Sequence, residues 1–493
     1  MYFNSINFIF LFLPFSIVIY YLFTISFRNF SSVYWLIFVS LFYYFILSPI
    51  FLLYLILSSI INYNLGIVIN NNFNINKNLS KKILILSIIL NILYLGYFKY
   101  FDFFISTVNN ITNLDFPLLN VLLPLGISFY TIQQIIFLVK CYDEKKQFNK
   151  YNQNFKTYFL HVIFFPKIIA GPIISYDNFI KNFTKKSNIK KKIFSNLYKG
   201  FFLFSIGLFK KVILADNLAY WNDHGFSNIS NLNLLESWIL CYSYTFQLYF
   251  DVSGYADMAI GIALLFGIAI PINFNSPFKQ TNISNLWNNW HMTLTNFINN
   301  YLFRPIIFSF KNVNAANTTY AIIISMTVVG LWHGANWTFI MLGFLNGIGI
   351  AFYHFIKNFK FKLERRFSIF LTFTFFSITI LFFRVEDLQS GFSIVESMFN
   401  ITNIVLPGNL YDLLGFLESY NIKFGTWSYS LRGDKNLLFF IALSVYLIFF
   451  CENSNELTKK LKPNFLSCTL IVLLFVISVM FINNSNENIY FQF

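Results

Sequence analysis

Charge is what this chain has least of. Only 11% of its 493 residues are Asp, Glu, Lys or Arg, against about 25% in soluble globular domains. Set beside 68 Phe and 30 Tyr, that scarcity excludes a soluble enzyme, because so much aromatic surface exceeds what a water-surrounded core can bury. Cysteine is scarce as well. Cys141, Cys241, Cys451 and Cys468 stand singly, with no CxxC or His/Cys spacing, so neither a disulfide framework nor a zinc site is supported. The glycines are too scattered for a phosphate-cradling loop. No basic stretch or small-residue cleavage site accompanies the first apolar run, so Phe8–Phe27 is expected to be a retained span. Acidic residues are the rarer charge, 20 against 35 basic, for a net +15. The surplus Lys falls in short loops between apolar runs, which is the positive-inside pattern of a membrane protein rather than a nucleic-acid face.

What fills the chain is long apolar runs. They recur at Phe8–Phe27, Val33–Leu47, Phe51–Ile69, Ile83–Tyr97, Leu118–Val139, Phe159–Ile174 and Leu197–Ala215. Seven more follow, at Ser237–Phe250, Met258–Ile272, Ala321–Leu331, Thr338–Ile356, Phe367–Phe383, Leu437–Phe450 and Leu466–Ile482. A helix crosses a roughly 30 Å hydrocarbon core in about 20 residues. Several runs are shorter, and some carry Gly and Pro, so they read as broken or re-entrant helices lining a protein-buried cavity. The expectation is an all-α polytopic membrane protein with roughly 11 spans plus a few half-membrane helices. Basic loops at Lys77–Lys82, Lys140–Lys156, Lys181–Lys199, Lys357–Arg366 and Lys459–Lys462 mark the cytoplasmic side, and the tail Asn483–Phe493 then faces outside. No fixed-period repeat and no linker divide residues 1–493, which read as one membrane domain.

Polar groups inside such runs are costly there and point to function. One cluster is Tyr244–Arg304. In it Asp251 and Asp257 flank Ser253–Gly254, which reads as a helix break. Asp251 either caps a helix starting near Gly254 or faces inward; Asp257 is expected to face inward. A second cluster is Val328–Gly347, where His333 stands between Trp332 and Gly334. An apolar-flanked His is usually a satisfied core residue. Here only five histidines occur, and two of them, His291 and His333, directly follow a Trp, namely Trp290 and Trp332. Neutral imidazole suits proton transfer near pH 7, and Gly334 lets a substrate or backbone approach. His161, His224 and His354 read as structural.

The motifs that hold these residues match a known pattern, in order, from about Leu95 to Phe383. LGYFKYFDFF at Leu95–Phe104, LPLGISFYTIQ at Leu123–Gln133, FFPKIIAGPI at Phe164–Ile173 and GLFKKVILADNLA at Gly207–Ala219 resemble the AlgI-like branch of the membrane-bound O-acyltransferases. So do YFDVSGYADMAIGIALLFGI, INFNSPF, WHMTL at Trp290–Leu294 and LWHGANWTF at Leu331–Phe339, with a weaker echo in the terminal NIYFQF.

The resemblance implies a ring of helices around a thinned centre with a tunnel, and acyl transfer across a membrane. It implies His333 as the essential catalytic residue and His291 as the second histidine of the site. Trp290, Trp332, Gly334, Trp337, Asp251 and Asp257 are then candidates for the tunnel or for an oxyanion-stabilising role. The implied donor is acetyl-CoA or another acyl thioester, acting as substrate, with no bound cofactor and no metal. The implied acceptor is an exported polysaccharide or cell-wall glycan, reached directly or through an exported acyl-relay partner protein. The implied location is the bacterial cytoplasmic membrane, among its lipids. Related systems O-acetylate alginate, cellulose or peptidoglycan, or D-alanylate teichoic acid. Where such proteins commonly carry basic residues before the Trp-His pair, this chain has Asn288 and Asn289. It also has Asn299, Asn300 and Asn346 at positions commonly held by an Arg-Asp pair and a further His. Two rival readings are a polytopic transporter or flippase and an inactive scaffold of the same fold; the paired Trp-His motifs weigh against both.

Overall fold

The computed structural model describes residues 1–26, 30–143, 154–184, 189–359 and 363–482. The tail from Asn483, with its NIYFQF echo, and parts of three of the basic loops lie outside the described residues. The fold is helical almost throughout. Among the described residues the only sheet is one short parallel pair, Val405–Pro407 with Lys423–Gly425.

Among the described residues, seven helices are long and apolar enough to cross a membrane: Phe8–Ile25, Leu52–Ile75, Lys77–Thr112, Leu234–Leu265, Ala315–His333, Trp337–Lys357 and Arg365–Phe383. A bent pair, Lys435–Phe450 with Ser454–Lys460, makes an eighth if counted as one span, and Ser32–Leu47 and Phe465–Met480 are shorter apolar helices. Leu197–Ala215 also lies within unbroken helix, residues 189–227, whereas other apolar runs are interrupted near their Gly and Pro. Phe155–Ile163 is helical, for example, but the chain then turns through Pro166 and runs extended past Gly171–Pro172.

One expectation fails. Ser253–Gly254 is no break: Leu234–Leu265 is one continuous helix of 32 residues, so Asp251 caps nothing. This helix is buried on all sides, and a helix so enclosed accepts Gly where neighbours approach closely and supply the stabilisation.

The chain forms two compact units, each assembled from discontinuous segments. The first comprises Met1–Leu208, Tyr255–Ile272 and the stretch from Leu461. Its outward faces are apolar, as with Leu86 and Leu93, which suits lipid as the solvent, while its polar groups turn inward and pair. Asn62 and Asn91 exchange side-chain hydrogen bonds of 3.2 and 2.7 Å, and Gln134 Oε1 accepts from Asn62 and Ser58. Lys167, fully buried, donates to Gln133 Oε1 and lies 5.7 Å over the Phe179 ring, a cation–π contact. His161 is fully buried beside Tyr176 and Phe179.

The second unit, Phe209–Gly254 and Asn273–Lys460, carries both Trp-His pairs. Its organising pair is the antiparallel hairpin of Ala315–His333 and Trp337–Lys357. These helices touch backbone to backbone: a Cβ on Gly343 would stand 2.2 Å from the Met326 carbonyl oxygen, which only glycine permits. Asn336 caps the second helix through Thr338 N at 3.1 Å, so a three-residue turn joins two spans.

Candidate active site

His333 is the last residue of its helix and Gly334 its C-cap, so the imidazole stands at the tip of the hairpin, not in mid-span. It is buried, with its ring 5.0 Å from Trp332 and 5.3 Å edge-on to Phe383. Gly334 is what allows this packing. A Cβ there would stand 2.1 Å from the ring of Phe339, which itself packs 5.2 Å from Phe383. Gly334→Ala is therefore expected to push Phe339 and Phe383 against His333. Overpacking of this kind costs about 1–3 kcal/mol, and a displacement near 1 Å at a reacting group can lower rate about 10²-fold. Turnover of membranes with matched protein amounts checks this; wild-type turnover would show that the ring shifts freely.

His291 is placed by a different device. The segment Asn273–Asn275 runs beside the Trp290–His291 turn, with Asn275 N donating to Asn289 O at 3.0 Å and Met292 N donating to Asn273 O at 2.8 Å. The Asn273 side chain adds bonds from Thr293 N (3.1 Å) and Thr293 Oγ1 (2.9 Å). Held between these rungs, His291 adopts a left-handed backbone, φ +42°, and its carbonyl then starts the short helix Met292–Ile298. Such a conformation in a non-glycine residue stores strain that its surroundings must hold. Burial pushes the imidazole down to about 4, which keeps it neutral across physiological pH.

The two histidines meet at one side chain. The His291 ring lies 6.2 Å from the Trp332 indole, near perpendicular, and His333 packs against the same indole. Trp290 sits among Phe274, Phe278 and Phe376, an apolar wall behind His291. Residues 42 apart in sequence thus share a neighbour, and both are buried.

Other expected residues divide. Trp332 and Gly334 are buried at the centre, while Trp337 is 49% exposed at the start of its helix. Asp251 is committed elsewhere: Lys211 lies 2.6 Å from it and 2.8 Å from Asp216, forming a buried ion triad. Asp257 is buried and belongs to the first unit. Among the departures, Asn288, Asn299 and Asn300 are exposed, and Asn289 bonds to Asn275. Asn346 is fully buried and accepts from the Trp287 indole at 2.9 Å while donating to Thr379 Oγ1 at 3.1 Å. It ties the short helix before His291 to two spans. Sequence reasoning missed Lys211 and Asn273 as positioning groups, although both lie in quoted motifs.

No group of three or more His, Cys, Asp or Glu that could hold a metal ion occurs among the described residues. What the arrangement offers is two enclosed imidazoles, an indole N–H and a dry aromatic wall, a set suited to proton transfer at a water-sensitive centre.

The model of MBOAT, the membrane-bound O-acyltransferase family, matches residues 127–369. A peptidoglycan O-acetyltransferase of Helicobacter pylori is 34% identical, over all of this chain and 97% of the relative. A probable alginate O-acetylase AlgI of Pseudomonas aeruginosa is 32% identical, over 81% of this chain and 75% of the relative. A teichoic acid D-alanyltransferase of Bacillus subtilis is 29% identical, over 50% of this chain and 62% of the relative. The chain therefore belongs to the membrane-bound O-acyltransferase family and is a multi-pass membrane acyltransferase.

Proposed function

We propose that this enzyme moves an acetyl group from a cytoplasmic acyl thioester, acetyl-CoA or a carrier-bound equivalent, to a hydroxyl of an exported cell-wall glycan or polysaccharide. It would do so in the bacterial cytoplasmic membrane, either directly or through an exported relay partner. The observation that carries this reading is the convergence of His291 and His333 on the Trp332 indole. The full-length relative's name, a peptidoglycan O-acetyltransferase, supports a cell-wall glycan as acceptor.

In the proposed step His333 accepts the proton of the acceptor hydroxyl as its oxygen attacks the thioester carbonyl carbon. The tetrahedral oxyanion draws on N–H donors, for which the Trp332 indole and the backbone near Gly334 are suited. Collapse breaks the C–S bond, and the imidazolium returns its proton to the departing thiolate, so the reaction is proton-neutral. His291, held neutral by burial, positions the acyl group. The surrounding aromatic wall excludes water, whose attack on the thioester is the competing reaction.

The test is transfer of label from [14C]acetyl-CoA in membranes holding the protein and an isolated glycan acceptor. Label appearing in alkali-labile ester on the glycan is the expected result. Uptake of label without ester formation would instead mark a transporter.

A further inference from the structure

We propose that a pocket on the basic side of the second unit is a phosphate-binding site. The assignment rests on the pocket's own chemistry and not on the transfer reaction above. The pocket is a polar depression of about 450 Å³, lined among others by Asn275, Ser276, Lys279, Gln280, Arg365 and Glu456.

Its two cations have no carboxylate to answer them: among the described residues neither Lys279 nor Arg365 takes part in a salt bridge. The one acid in the lining is turned to local work, since Glu456 Oε2 accepts from Asn453 N at 3.1 Å at the start of the Ser454–Lys460 helix. Lys279 is half-buried and anchored, its Nζ donating to the Cys451 carbonyl at 2.5 Å. The walls are tied in the same manner. Asn453 Nδ2 donates to Asn275 Oδ1 (3.1 Å) and Ser276 Oγ (2.9 Å), and Gln280 Nε2 donates to Ser276 O (3.3 Å). Ser276 is itself held in a left-handed conformation, φ +47°. A preorganised polar pocket with an ammonium and a guanidinium fork, flanked by amide and hydroxyl donors, fits a tetrahedral, multiply accepting anion.

Its position names the class of anion. Arg365 is the first residue of Arg365–Phe383, a helix long and apolar enough to cross a membrane, so a bilayer crossed by that helix would put the pocket at head-group level. Phosphate is the anion abundant at that level, and basic pockets between spans on the basic side are suited to it. The phosphate can come from an anionic lipid head group or from the terminal phosphates of a soluble acyl-thioester carrier. Either would bear on the active site, because Asn275 in the pocket wall is a rung of the ladder that holds His291.

The test uses the full-length protein in nanodiscs, with two probes. Free CoA is titrated calorimetrically at low salt into pure phosphatidylcholine discs. Phosphatidylglycerol retention is read by native mass spectrometry from discs containing it. Lys279→Gln and Arg365→Gln are each compared with Lys459→Gln, a basic residue outside the pocket. The expected result is that at least one probe binds saturably, and that each pocket variant weakens it about 10-fold or more while Lys459→Gln does not. A charged hydrogen bond of about 1.5–3 kcal/mol sets that scale. The probe affected identifies the source, soluble carrier or lipid. The proposal is overturned if the pocket variants leave both probes unchanged, or if Lys459→Gln weakens binding as much as they do. Because binding alone is read, failure of acetyl transfer would not mimic failure of the site.

Discussion

His333→Ala is expected to lower acyl transfer at least about 10²-fold, a rise in barrier of roughly 2.7 kcal/mol. Protein amount in the membrane should stay near wild type. The imidazole stands at the tip of the hairpin against Trp332 and Phe383, and the two helices below it are held by backbone contact at Gly343 instead. His333→Gln separates chemistry from packing. Glutamine keeps hydrogen bonding in a similar volume but cannot take the acceptor's proton at neutral pH, so it should be nearly as inactive as alanine. A core histidine with no chemical role predicts the reverse, poor accumulation with Ala and near-normal turnover with Gln. His291→Ala should be milder in the chemical step, because burial lowers the basicity of its imidazole and makes it a poor proton acceptor, leaving it the positioning role. The assay is labelled acetyl transfer at matched protein levels. A well-expressed, active His333→Gln enzyme would sink the mechanism, and an inert wild type would favour the scaffold reading.

The two Trp-His pairs were legible in sequence because each is a rare residue beside a rare residue, in a chain with five His and eight Trp. The resemblance put both histidines in one site, and in the structure both rings pack against Trp332. The number of complete spans was harder to read. Apolar runs such as Phe159–Ile174 look like spans by composition, yet the helix stops at Ile163, shortly before Pro166, and only tertiary packing decides whether such a run crosses or folds back. The Ser253–Gly254 pair misled for the opposite reason. Local propensity marks Gly as a break, but within a helix enclosed on every side, packing outweighs propensity. The role of Asn346 was legible only as a departure from pattern. That it satisfies the Trp287 indole depends on the register between a short helix and two spans, which one sequence does not carry.

Lys211→Met is expected to be the most destabilising single substitution in the second unit. Lys211 is 2% exposed and holds two carboxylates, Asp251 (1% exposed) at 2.6 Å and Asp216 at 2.8 Å. Methionine fills most of the stem's volume, so the change is chiefly electrostatic: two buried carboxylates lose their shared cation. Removing one partner of a buried ion pair typically costs about 3–5 kcal/mol, because the remaining charge stays desolvated and unanswered. Asp251→Asn should be milder, since Lys211 keeps Asp216. Pairing Lys211→Met with Asp251→Asn removes the deeper charge along with the cation and should recover a large part of the loss. Thermal unfolding of detergent-purified protein, followed by fluorescence-detected size exclusion, reads all three. The same set decides what Asp251 is for. If the triad is a structural clamp, the double variant regains acyl transfer together with stability. If Asp251 takes part in the reaction, that variant is folded but inert. A Lys211→Met protein as stable as wild type would mean that neighbouring groups already answer both carboxylates, and the clamp would have to be abandoned.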